Sequence, residues 1–199
     1  METFTTKTFE LGELKGLSPK TIEEHLKLYK GYVTNSNLVL NKIKEYETDM
    51  VTNQYILSEL HRRFAFEFGG MRNHEYYFSC LSGGAKLLPV GSKLKKEIEK
   101  GGMTFENWIE NFKALAMTRG VGWAMLYYDK ETGNLLTQWV DEQHIGHLVG
   151  APPIIALDMW EHSYYLDYIP AEKKKYVEAF FANLNWEVIE NNFEIAIKN

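Results

Sequence analysis

Apolar residues recur at helical intervals along PKTIEEHLKLYKGYVTNSNLVLNKIKEY, residues 19–46. The Ser18-Pro19 step before this stretch has the chemistry of a helix start: a hydroxyl to take a first-turn N–H, then a proline whose missing donor is not needed there. Gly31 weakens the middle of the pattern. A second helical stretch runs from about Asn53 through Leu81, with Gly69-Gly70 inside it, and the pair reads as an antiparallel hairpin. LSGGAKLLPVGSK, residues 81–93, is rich in Gly and Pro and marks a boundary between two domains, residues 1–88 and 89–199. Beyond it, helical patterns cover Leu94–Lys100 and Thr104–Arg119. WAMLYYD and NLLTQWVD flank KETG as two strands joined by a turn. IIALD is a short buried strand, MWEHSYYLDY reads as a helix following it, and a last helical part runs from Ala171 to the end. The expected fold class is therefore α+β: an N-terminal antiparallel α-hairpin, then an α/β domain with a small antiparallel sheet.

Composition narrows the function classes. With 45% hydrophobic and 14% aromatic residues over 199 positions, the chain can build a proper core. No apolar stretch approaches bilayer length, so no membrane partner is expected. The first residues, METFTTKTFELGELKG, lack an apolar signal region. Cys80 is the single cysteine and lies in the aromatic run YYFSCL, where it reads as a small buried hydrophobe. A cytoplasmic, reducing location is the matching expectation. The net charge of −5 argues against nucleic acid as a partner. It does not exclude a small anion, because local potential at a site can attract one whatever the total.

The chemistry-bearing candidates are histidines: His25, His61, His74, His144, His147 and His162. Taken singly, each reads as an ordinary core or surface histidine. Asp158 ends the apolar run IIAL, and His162 follows four residues later, so one helical turn brings both toward one point. Alone, the pair reads first as a helix N-cap and a core histidine. A carboxylate with an imidazole also suits iron, manganese or zinc, and the aromatics of WEHSYY would keep such a site dry. His74 lies in GGMRNHEYYF and His25 in TIEEHLKLYKGYV, with Tyr29 and Tyr32 on the same helix face as His25.

These segments in this order, PKTIEEH with YVTNSN, FGGMRNHEYYF, RGVGWAMLYYD and ALDMWEHSYYLDY with NLNWEVI, resemble the iron/manganese superoxide dismutases over nearly the whole chain. DMWEHSYYLDY is close to the family signature D-x-W-E-H-A-Y-Y. The resemblance implies disproportionation of superoxide at one manganese or iron ion per subunit. It gives His25, His74, Asp158 and His162 as ligands, with a solvent molecule as the fifth. It makes Trp123 and Trp160 walls of the site, and Tyr32 and Gln143 the groups that orient solvent and gate small anions. Glu161 and Tyr165 then reach across an interface to a partner subunit, implying a homodimer or a tetramer built from it.

Three departures from the family pattern matter. The tyrosine of Y-V-x-N usually stands eight positions after the first ligand, whereas Tyr32 stands seven after His25. Seven residues return to the same face of a regular helix, so the expectation is a helix without a π-type bulge, with Tyr29 as the fallback. The histidines that the family carries in that interval are replaced by Leu28 and Tyr29. The glutamine that iron-type members place four residues before the second histidine is absent, since that position is Gly70. Gln143, with His144 beside it, occupies the loop position used by manganese-type members, so manganese is favoured over iron. Two other readings compete. One is a metal-dependent hydrolase using His144 and His147 with a carboxylate; the other is a metal-binding protein on the same fold without catalysis.

Overall fold

Helix α1 spans Pro19–Tyr46 in a computed structural model of the chain, which describes residues 3–198. Its start follows from Ser18, whose extended backbone lets Oγ accept the Thr21 N–H at 3.1 Å. The buried residues Thr21, His25, Tyr29, Val33, Ser36, Val39 and Ile43 form one stripe at intervals of three and four. That stripe lies on α2, Gln54–Leu81, so burial on both sides of Gly31 carries the helix through it unbroken and without a π-type turn. Helix α2 changes character along its length: it is largely exposed at first, then buried on nearly every side from Gly69 to Leu81. The reason is its position, with α1 on one side and the sheet on the other.

Two shorter helices follow, α3 (Lys93–Lys100) and α4 (Phe105–Ala116). The sheet then forms from β1 (Gly122–Asp129), β2 (Asn134–Asp141) and β3 (Pro153–Asp158), in the order β2-β1-β3 and antiparallel throughout. As the central strand, β1 is buried along most of its length, and so is β3, against which α2 packs. The register sets Trp123 opposite Val140 on one side and Asp158 on the other. One hydrophobic cluster spans the molecule, taking Tyr29 and Phe78 from the hairpin together with Trp123, Leu157 and Phe180 from the rest. Val39, Ile43 and Leu57 form a small separate cluster farther along the hairpin.

Two expectations are corrected. MWEHSYYLDY, residues 159–168, is not an α-helix: it makes only a short 3-10 turn at Glu161–Ser163. Asp158 Oδ1 does accept the Trp160 N–H at 2.8 Å, but Trp160 itself is extended (φ −67°, ψ 147°), so the helix is not propagated. The C-terminal helical part is two helices, α5 (Lys173–Ala182) and α6 (Trp186–Lys198). The break is caused by asparagines. Asn183 binds the Lys15 backbone through both ends of its amide, and Asn185 Oδ1 accepts from Glu187 and Val188 N–H to open α6.

Candidate metal centre

Four side chains from four elements of the fold meet at one point. His25 comes from the middle of the α1 stripe, His74 from the buried half of α2, Asp158 from the end of β3, and His162 from the 3-10 turn. One ligand atom from each lies within 4.8 Å of all the others. Asp158 Oδ2 is the common neighbour: His25 Nε2 stands 3.0 Å away, His162 Nε2 3.2 Å and His74 Nε2 3.5 Å. Ligand atoms about 2.1 Å from an ion stand roughly 3–4 Å apart, so the spacing suits a single metal.

The protonation pattern points the same way. His74 Nδ1 must donate to the Gly70 carbonyl at 2.6 Å, which leaves Nε2 a bare lone pair, buried and without a hydrogen-bond partner. That lone pair faces the lone pairs of a carboxylate, an arrangement that is repulsive until a cation lies between them. Burial lowers the His74 pKa to about 3, helped by neighbouring His25, and burial lowers that of His25 as well. Burial alone would raise the pKa of Asp158, but the imidazoles of His162 and His25 outweigh it and hold the carboxyl well below its usual range. Three imidazoles gathered around one buried carboxylate, with no lysine or arginine paired to it among the described residues, form a donor set that could hold a metal ion.

The other expected residues surround this cluster. Trp123 Nε1 donates to Gln143 Oε1 at 3.0 Å, and Gln143 Nε2 donates to Tyr32 Oη at 3.0 Å. The Tyr32 ring lies 5.1 Å from that of His74, and burial raises its pKa, so the phenol keeps its proton. Tyr29 is turned elsewhere: its hydroxyl accepts the Lys7 N–H at 2.9 Å and donates to Glu75 at 3.2 Å. Trp160 stacks on His162 at 5.8 Å and donates from Nε1 to the Glu142 carbonyl. Glu161 and Tyr165 are exposed on the single chain. The loop histidines do not join a carboxylate in a second metal cluster among the described residues. Both His147 nitrogens are already engaged, at 2.6 Å to Tyr127 Oη and 3.2 Å to the Gln143 carbonyl.

Phe66 and Asn73 went unremarked in the sequence reading. The Phe66 ring packs edge-on against His144 and Trp160 and within 6.1 Å of Tyr32, closing the cluster's outer side. Its spacing was a signal, since 66, 70 and 74 share one helix face. Asn73, buried on α2, donates to the Gln143 carbonyl at 3.1 Å, a contact that no local pattern announces.

Residues 89–192 match the family model for the C-terminal domain of iron/manganese superoxide dismutases. The chain is 35% identical over 190 residues to the superoxide dismutase (Fe) of Aquifex pyrophilus, covering 93% of this chain and 88% of the relative. It is 35% identical over 194 residues to the superoxide dismutase (Fe) of Cupriavidus metallidurans, with 96% and 95% covered. To the mitochondrial superoxide dismutase (Mn) of Glossina morsitans morsitans it is 33% identical over 195 residues, with 96% and 88% covered. Matched over residues 89–192 by that family model and 33–35% identical to these relatives over more than nine-tenths of its length, the chain belongs to the iron/manganese superoxide dismutases.

Proposed function

We propose that this chain disproportionates superoxide at a single ion held by His25 Nε2, His74 Nε2, Asp158 Oδ2 and His162 Nε2. The observation that carries this reading is the bare His74 Nε2, aimed at a buried carboxylate 3.5 Å away with no proton between them. An iron or manganese ion supplies one-electron exchange there, so that one superoxide leaves as dioxygen and a second, with two protons, leaves as hydrogen peroxide. The protein's own part is to bind, exclude and orient. Phe66, Trp123 and Trp160 set apolar rings against one another and against His74 and His162, which lowers the access of bulk water to the cluster. Gln143 receives the Trp123 proton and gives its own to Tyr32 Oη, so the phenol hydrogen stays free to point toward an oxyanion at the cluster. Purified protein reconstituted with either metal is expected to dismutate superoxide, and His74→Ala to abolish it. Activity equal in both proteins would overturn the reading.

Manganese is the metal we favour. A Cβ added at Gly70 would stand 2.5 Å from the Tyr32 ring, so a glutamine at 70 is sterically opposed, and the amide reaches the cluster from the loop instead. Elemental analysis paired with dismutation by each reconstituted form tests this, and a more active iron form would reverse it. We also infer a homodimer, supported by the exposed Glu161, Tyr165, Leu166 and Ile169 on either side of His162 in the chain. Light scattering on the holoprotein tests that assembly. A cytoplasmic location fits the buried free thiol of Cys80 and is tested by cell fractionation.

A further inference from the structure

Gln143 sits on a loop, yet its amide is held between Trp123 Nε1 and Tyr32 Oη at 3.0 Å each. Loops rarely hold a side chain that closely without support from behind. The support here is the backbone carbonyl of Gln143. It accepts from Asn73 Nδ2 at 3.1 Å and lies 3.2 Å from His147 Nε2, so both of its lone pairs are occupied. A Cβ at Gly69 would stand 2.2 Å from the same oxygen, so the carbonyl is pressed onto α2 at a point where only glycine fits. Just before it, Glu142 is the one non-glycine residue with a positive φ among the described residues, at 50°.

We propose that His147 is a positioning residue for Gln143, fixed in one tautomer by Tyr127. A carbonyl can only accept, so His147 Nε2 carries the proton and Nδ1 carries the lone pair. The Tyr127 hydroxyl, 2.6 Å from Nδ1, donates to it. Met125 Sδ lies 3.0 Å from the same hydroxyl but is the weaker acceptor for its single proton. Tyr127 belongs to buried β1, so a hydrogen-bonded line runs from the sheet core through His147 to the Gln143 carbonyl and fixes where its amide points.

The inference takes Gln143 to be part of the metal site, and its test needs neither metal nor activity. The Trp123 indole N–H, donated to Gln143 Oε1, is followed by NMR in metal-free protein for shift and hydrogen exchange. The β1 backbone amides report global unfolding, and Gln143→Leu sets the released value. His147→Phe is expected to speed indole exchange about tenfold relative to those amides, the loss of one hydrogen bond's worth of protection. His147→Gln, which still offers a donor, is expected to restore the native signal. Tyr127→Phe, which frees the tautomer, should give a smaller shift in the same direction. A native-like indole in His147→Phe overturns the proposal, as does equal disturbance in His147→Phe and His147→Gln. Should His147→Phe fail to fold, an unshifted indole in Tyr127→Phe overturns it.

Discussion

Asp158 carries the cluster's only anionic group, and its two oxygens are divided between two tasks. Oδ1 closes a turn with the Trp160 N–H, and Oδ2 faces three imidazoles. Asp158→Ala is therefore expected to leave the chain unable to hold its metal, with elemental analysis of the purified variant as the check. Retention of a full equivalent would remove Asp158 from the ligand set. Tyr32→Phe should cost about tenfold in dismutation, the value of one hydrogen bond to a developing charge, while leaving metal content unchanged. The histidines also predict a pH effect in metal-free protein. His25 and His74 have lowered pKa values when folded, so below their ordinary 6.5 the unfolded chain takes up protons that the fold refuses. Their contribution to stability is present above 6.5 and is lost as the pH falls, continuing for His74 toward about 3. The slope is at most ~1.4 kcal/mol per pH unit per histidine, read by denaturant unfolding between about pH 7 and pH 5. A flat profile would mean that these groups protonate freely in the fold.

At the scale of elements, α2 brings the two halves of the site together. Its residues 66, 70 and 74 face the cluster, while Gly69 and Asn73, beside that face, receive the loop carbonyl. Gly69→Ala drives a Cβ into backbone rather than into a flexible side chain, so it should destabilise the protein by about 1–3 kcal/mol. It should also loosen Gln143, seen as a weakened Trp123 indole bond. An alanine variant as stable as the parent would show that the loop moves freely. Helix α1 needs no such close approach. Its seven-residue step from His25 to Tyr32 works because an unbroken helix returns to the same face.

For the whole molecule, the four proposed ligands come from both halves of the chain, and one core cluster covers both halves. On the proposed reading, metal binding and folding are coupled. Chelation should lower unfolding stability by ~4 kcal/mol at a thousandfold excess of metal over its dissociation constant, measured as the shift in denaturant midpoint. An unchanged midpoint would mean that the ion binds folded and unfolded chains alike.

The elements were legible from sequence because periodicity, Ser18-Pro19 and the KETG turn are local, and local chemistry decides them. The full set was legible only as a family likeness, since beyond the four-residue step from Asp158 to His162 nothing local ties residues 25, 74 and 158 together. The expected helix after Asp158 did not form, and the last helical part is divided in two, for a common reason. Side-chain amides and carboxylates there bind backbone groups that helix propensity assumes to be free, and Asn183 does so with Lys15, far away in sequence. Sequence alone therefore determined the hairpin, the strands and the residue types able to hold a metal. Tertiary structure decided that Tyr32 rather than Tyr29 meets Gln143, that Phe66 closes the site, and that Gly69, Asn73 and His147 hold the loop. Apart from the four-residue step from Gln143 to His147, these are contacts across tens of residues, set by the packing of α1, α2 and the sheet against one another.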